Sequence, residues 1–181
     1  MKKSQFEEVK ALALAYYRKA GIVLTEEEMG RLEIADFGLD DVHRIGLEIV
    51  TYINTSRVCA KEMVLLPGQT CPEHRHVPTA GRAGKEETFR CRYGKVYLYT
   101  DTDPSAKQED IGIPLPPTPV TVFHETVLHP GEQFTIYPET LHWFAAGEEG
   151  AVISEFSTTS TDETDQFTDT RIVRAPKIEE D

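Results

Sequence analysis

The feature that most limits the folds open to this chain is a train of short alternating segments running from about residue 42 to residue 157. Ile45, Leu47 and Ile49 alternate with polar or small positions, the two-residue period of a strand with one face buried. Arg57 to Leu66 is a second strand candidate, closed by the Pro67-Gly68 turn. Glu87 to Tyr93, Lys95 to Thr100, Val120 to Leu128, Glu132 to Tyr137, Leu141 to Ala145 and Ala151 to Ser157 continue the series. Gly94, His129-Pro130-Gly131, Pro138 and Gly147 to Gly150 punctuate it. Many short strands at regular spacing predict a mainly β chain, an antiparallel sandwich or barrel. At 181 residues and 39% hydrophobic, the chain is long enough for one domain with a buried core.

The ends read differently. Ser4-x-x-Glu7 has the form of a capping box, and Phe6, Val9, Leu12, Ala13, Tyr16 and Ala20 follow at helical spacing up to Gly21. Thr25-x-x-Glu28 repeats the signal before Met29 and Leu32. Residues 1–40 are therefore expected to be a helical extension packed outside the sheet or against a second subunit. Residues 42–160 form the β unit, and 161–181 a loop and charged tail. Asp101 to Pro119 holds Pro104, Pro114, Pro116, Pro117 and Pro119, too many for a central strand. It is a surface excursion or a flap over a pocket.

Composition narrows the partners. A net charge of −12 argues against nucleic acid or an anionic membrane, since phosphate binding needs clustered Lys and Arg. Cys59, Cys71 and Cys91 are odd in number and form no CxxC, which favours a reducing cytoplasm over a disulfide framework. Glu7, Glu8 and Lys10 interrupt the N-terminus, so it does not read as a signal peptide, and no apolar run is long enough to span a membrane.

The chemistry concentrates between Gly68 and Gly94. His74 and His76 are one residue apart, so in extended backbone both imidazoles face the same way and can reach one ion. Lys85 and Glu87 repeat that spacing, and His142 offers a fourth donor far downstream. Three imidazoles and a carboxylate suit a divalent metal and leave coordination positions open.

Gly68-x5-His74-x-His76 with Glu87-x6-Gly94 resembles the first signature of the cupin superfamily, and Gly131, Pro138 and His142 resemble the second. Two departures stand out. Pro138 sits one place late with the usual second glycine absent, and ten residues, 77–86, separate His76 from Glu87. Gly81 and Gly84 would let that long loop return the carboxylate. A narrower resemblance rests on Lys85-x-Glu87, Tyr137-Pro138-x3-His142-x-Phe144, Glu155-Phe156-Ser157, Asp162 to Arg171 and the terminal Ile178-Glu-Glu-Asp. Together these are similar to the D-lyxose isomerase family of cupins. That resemblance implies a jelly-roll β-barrel with helices outside and a homodimer. It also implies Mn2+-dependent interconversion of D-lyxose and D-xylulose, with D-mannose and D-fructose as a second pair.

Aldose–ketose isomerisation through a cis-enediol needs a base for the C2 proton. Glu155 lies mid-strand in Val-Ile-Ser-Glu-Phe-Ser, where a carboxylate is costly unless paired or used. Lys85 shares a face with Glu87 and can steady a sugar oxygen or shuttle a proton. Asp165 and Arg171 are substrate-binding candidates, because carboxylates and an arginine fork suit vicinal hydroxyls. Phe89, Tyr97, Trp143 and Phe144 are pocket or core aromatics. The same ligand set would also serve an Fe(II) dioxygenase, a sugar-phosphate isomerase using Arg82, Lys85, Arg90 and Arg92, or a sugar-binding cupin without turnover.

Overall fold

The protein, a computed structural model, is described over residues 1–175 and 177–181. Two helices, α1 (Lys3–Lys19) and α2 (Glu26–Gly30), precede nine strands. These are β1 (Glu33–Ala35), β2 (Leu47–Asn54), β3 (Cys59–Leu65), β4 (Thr70–Arg75), β5 (Glu87–Thr100), β6 (His124–Leu128), β7 (Gln133–Ile136), β8 (His142–Ser157) and β9 (Gln166–Phe167). All the strand pairs are antiparallel, in the order β1-β2-β3-β8-β4-β9, with β5 joining β6, β7 and β8. The sheet curls because β8 changes partners along its length. Its first half pairs with β4, its second with β3, and β5 runs beside both. This is the mainly β antiparallel barrel expected from the alternating segments, in the cupin-like arrangement that the motif resemblance implied.

Several local expectations differ from the structure. Ser4 does not cap α1: the helix starts from Lys2 with no side-chain cap, and Ser4 Oγ donates to Asp181 instead. The Thr25–Glu28 capping box is present. Glu87–Tyr93 and Lys95–Thr100 are one strand, bent by irregular register around Gly94 instead of ended there. Gly94 has φ +71°, and a Cβ there would collide with the Gly150 carbonyl, so the strands can touch at this bend only without a side chain. Leu141–Ala145 and Ala151–Ser157 likewise fuse into β8. Within Val120–Leu128 only His124–Leu128 is strand, because Glu73 occupies the backbone N–H groups of Thr121 and Val122. The N-terminal extension also contains the short strand β1, pairing with β2.

The barrel interior holds Leu47, Ile49, Met63, Leu65, Phe89, Leu98, Phe144 and Ile153. Each such side chain contributes about 1.5–3 kcal/mol on burial. Val9, Ala13 and Tyr17 of α1 pack on the outer face against Val50, Val64 and Val152. Tyr17 Oη donates to the Glu48 and Glu62 carbonyls at 3.1 and 2.8 Å, fixing the helix across β2 and β3. Segment 158–174 then crosses the barrel mouth. It is held by Asn54 on Ser160, Glu73 on Thr168 and the Phe37 carbonyl on Val173.

Candidate active site

His74 and His142 face each other in register on β4 and β8. His76 lies just beyond β4, and Glu87 opens β5. One ring nitrogen from each of the three histidines lies within 4.8 Å of the others. The opposite nitrogens are all engaged. His74 Nδ1 donates to the Pro72 carbonyl at 2.8 Å, His142 Nδ1 to the Thr140 carbonyl at 2.9 Å, and His76 Nδ1 pairs with Asp165 Oδ1 at 2.6 Å. A carbonyl acceptor requires an N–H, so the Nε2 lone pairs of His74 and His142 are free to face inward, the tautomer a metal ligand needs. Glu87 Oε1 sits 3.0 Å from His76 Nε2 and 3.2 Å from His142 Nε2. His142 Nε2 is misaligned for a hydrogen bond despite that proximity and is a buried nitrogen with no partner. Three converging histidines, held from behind and with one orphaned nitrogen, fit a divalent cation, with the Glu87 carboxylate beside two of them.

The ten-residue loop before Glu87 is short in space. Thr79 and Arg82 pair across its tip, Gly81 takes φ +77°, and a Cβ on Gly84 would strike the His76 carbonyl. The loop thereby delivers Lys85, whose Nζ lies 2.7 Å from Glu87 Oε2 and 3.2 Å from Glu155 Oε1. Glu155 on β8 is flanked by Lys61 on β3 and Phe89 on β5, both directly opposite in register. Lys61 Nζ, Lys85 Nζ and Ser157 Oγ all approach Glu155 Oε1, at 3.7, 3.2 and 2.9 Å.

The charges set one another. Burial favours neutral imidazole and holds the His74 pKa well below its ordinary value, helped by His142 and His76. Burial also opposes charge on Lys85, yet the Glu155, Glu87 and Asp162 carboxylates raise its pKa well above the usual lysine value. Against the same burial, Lys85 and then His76 keep Glu87 well below the usual carboxylate range. Asp162 is held low against burial by Lys85, Lys61 and Arg174.

Of the residues expected from sequence, His74, His76, Lys85, Glu87, Phe89, Phe144, Glu155 and Asp165 all line one cavity. His142 adjoins it through His74, with ring centroids 4.3 Å apart. Arg171 does not line it. Its guanidinium turns to Asp169 at 2.6 Å with the side chain 63% exposed. Trp143 stacks on Tyr99 in a separate cluster, and Tyr97 lies outside the cavity. Among Arg82, Lys85, Arg90 and Arg92, only Lys85 reaches the cavity. No residue of 101–119 lines it either. Sequence reading missed Lys61, Phe37, Asp162, Phe167 and Arg174. Lys61 carried a signal, sharing strand parity with buried Cys59, Met63 and Leu65. Asp162 and Phe167 lay inside the stretch that carries the family resemblance without being singled out, and Arg174 carried no signal, since all three arrive on irregular backbone or a two-residue strand.

A curled antiparallel barrel with a buried three-histidine cluster defines a cupin-like fold with a site that could hold a metal. Comparisons with known proteins narrow this. Residues 5–181 match the family model described as D-lyxose isomerase, and the chain belongs to that family. It is 53% identical to the D-lyxose/D-mannose isomerase of Thermosediminibacter oceani, covering 99% of each chain. It is 52% identical to the D-lyxose ketol-isomerase of Cohnella laeviribosi over 100% of both. Among solved structures, the L-ribose isomerase of Acinetobacter sp. DL28 in complex with L-ribose matches at TM-score 0.73 and 18% identity, with 97% of each chain covered. At that identity the likeness shows the fold alone.

Proposed function

We propose that the protein is a metal-dependent aldose–ketose isomerase that interconverts D-lyxose and D-xylulose, with D-mannose and D-fructose as a second pair. The observation that carries this reading is Glu155, a carboxylate only 2% exposed, standing beside Lys85 and the histidine–glutamate donor set. Relatives of the same length that share about half the sequence bear the same activity in their names.

His74, His76, Glu87 and His142 would hold the cation. We assign manganese, on the mixed imidazole–carboxylate donors and the family resemblance. When bound, a divalent ion supplies positive charge against the negative charge that develops on the sugar's C1 and C2 oxygens. Glu155 is the base. Its Oε1 is taken by Ser157 and Lys85, leaving Oε2 to remove the C2 proton and return it to C1 through a cis-enediol. Lys85 donates a hydrogen bond to the oxygen gaining charge and relays the hydroxyl proton from O2 to O1. Phe89 packs beside the reacting carbons, and Phe37 and Phe167 help exclude water. An Fe(II) dioxygenase would have no use for the Lys85–Glu155 pair. A cytoplasmic setting is supported by three buried free thiols. The homodimer rests on the family resemblance; α1 spends its buried face on its own barrel.

The test is metal analysis of the purified protein, followed by ketose formation from a panel of free and phosphorylated aldoses with Mn2+ restored. D-lyxose should be the preferred substrate, with activity lost on chelation. Faster turnover of a phosphorylated aldose would overturn the reading.

A further inference from the structure

Asp162, which the scheme above does not use, opens a 3₁₀ turn (Asp162–Thr164) in the segment crossing the barrel mouth. Its carboxylate meets three cations. Oδ2 lies 2.6 Å from Lys61 Nζ and 3.4 Å from Arg174 Nη2, and Oδ1 lies 3.2 Å from Lys85 Nζ. Ser160 Oγ donates to Oδ1 and also accepts from Lys61. Arg174 is tied in turn to Glu33, anchoring the far side. Lys61 and Lys85 converge on the one atom Glu155 Oε1. Two buried ammonium groups this close repel each other, and burial adds to the cost of both charges. A carboxylate bridging them offsets both terms.

We infer that Asp162 is a positioning residue for the isomerisation: it seats Lys61 and Lys85 on Glu155 Oε1 and so leaves Oε2 as the basic atom. This rests on the isomerase reading above. Asp162 makes no direct hydrogen bond or ion pair to His74, His76, Glu87 or His142 among the described residues; its link to that set runs through Lys85, which also pairs with Glu87, so metal content is measured beside kcat. Asp162 reaches both lysines from segment 158–174, which lies against the cavity they line.

The test compares wild type with Asp162→Asn and Asp162→Glu in the metal-loaded protein. Lysine acylation read by mass spectrometry should be on the order of tenfold faster at Lys61 and Lys85 in Asp162→Asn, reflecting lost charged hydrogen bonds. The kcat on D-lyxose should fall on the order of 10²-fold with KM within about threefold, and Asp162→Glu should recover part of it. Metal content should stay at the wild-type level. If Asp162→Asn does not fold, Asp162→Glu carries the test, because one added methylene keeps the charge and shifts both lysines. Unchanged labelling with unchanged kcat overturns the inference. So does a rise in KM alone, which would make Asp162 a sugar ligand, and so does loss of metal. A wild type that converts no aldose defeats the isomerase reading, while the labelling still decides whether Asp162 positions the lysines.

Discussion

Two of the protein's hollows contrast, and the larger of the pair is the less chemical. A groove of about 1140 Å³ runs beneath Gly112–Pro117 and is walled by Tyr93, Tyr97, Pro67 and Pro130. The histidine cavity has only about 30 Å³. Yet the small cavity concentrates Glu87, Glu155, Asp162 and Asp165 against Lys61, Lys85 and Arg174. Such a collection is expensive to bury and is kept where it is used. The groove exposes tyrosines and prolines, which cost little there. Volume locates space; buried, mutually dependent charge locates chemistry.

Substitutions can break this contrast, and the largest effects belong in the small cavity. His142→Ala should lose both metal and activity, by metal analysis and turnover; a fully active, metal-free variant would remove the site from this end of the barrel. Glu155→Gln should keep the metal and still bind sugar. Its kcat should fall on the order of 10²–10⁴-fold, the usual contribution of a positioned base, and normal turnover would place the base elsewhere.

A third prediction lies outside both hollows. Glu48 is fully buried, its Oε2 has no partner, and burial pushes its pKa up to about 8, with Gln69 partly opposing. The folded state then holds a proton that the unfolded chain releases near 4.5. Its contribution to stability is therefore present in full below 4.5 and lost as pH rises through about 8. Glu48→Gln should raise the melting temperature relative to wild type at pH 9 more than at pH 5, worth roughly 3–5 kcal/mol. Equal differences at both pH values would mean that Glu48 ionises normally. The smallest effect should come from the groove: Leu115→Ser should leave kcat/KM within about twofold, as surface substitutions usually do. A large loss would make the groove part of the active site.

Much of the site was legible before the fold. His74-x-His76 and Lys85-x-Glu87 each needed only strand parity, and Glu155 stood out as a carboxylate in an apolar strand. The reading failed where backbone irregularity decides. Gly94 reads as a stop, yet it sits at a bend within one strand, where its positive φ and the Gly150 carbonyl leave no room for a Cβ. Ser4 reads as a cap, yet the C-terminus supplies Asp181 as its partner. Asp165 and Arg171 read alike as sugar ligands in a polar stretch. Asp165 turns inward to His76, while Arg171 closes on Asp169 and faces solvent.

Local periodicity, which depends only on alternating side chains and turn chemistry, determined the β class and singled out His74, His76, Glu87 and Glu155, which the fold brings to one cavity. The tertiary structure alone decided that Lys61 faces Glu155, that Asp162 and Arg174 come back over the mouth, and that the Pro-rich stretch lines the other hollow. Several of those contacts join residues far apart in the chain, as Lys61 and Asp162 are, 101 positions apart. They are set by the way β8 changes partners along its length, which no sequence window contains.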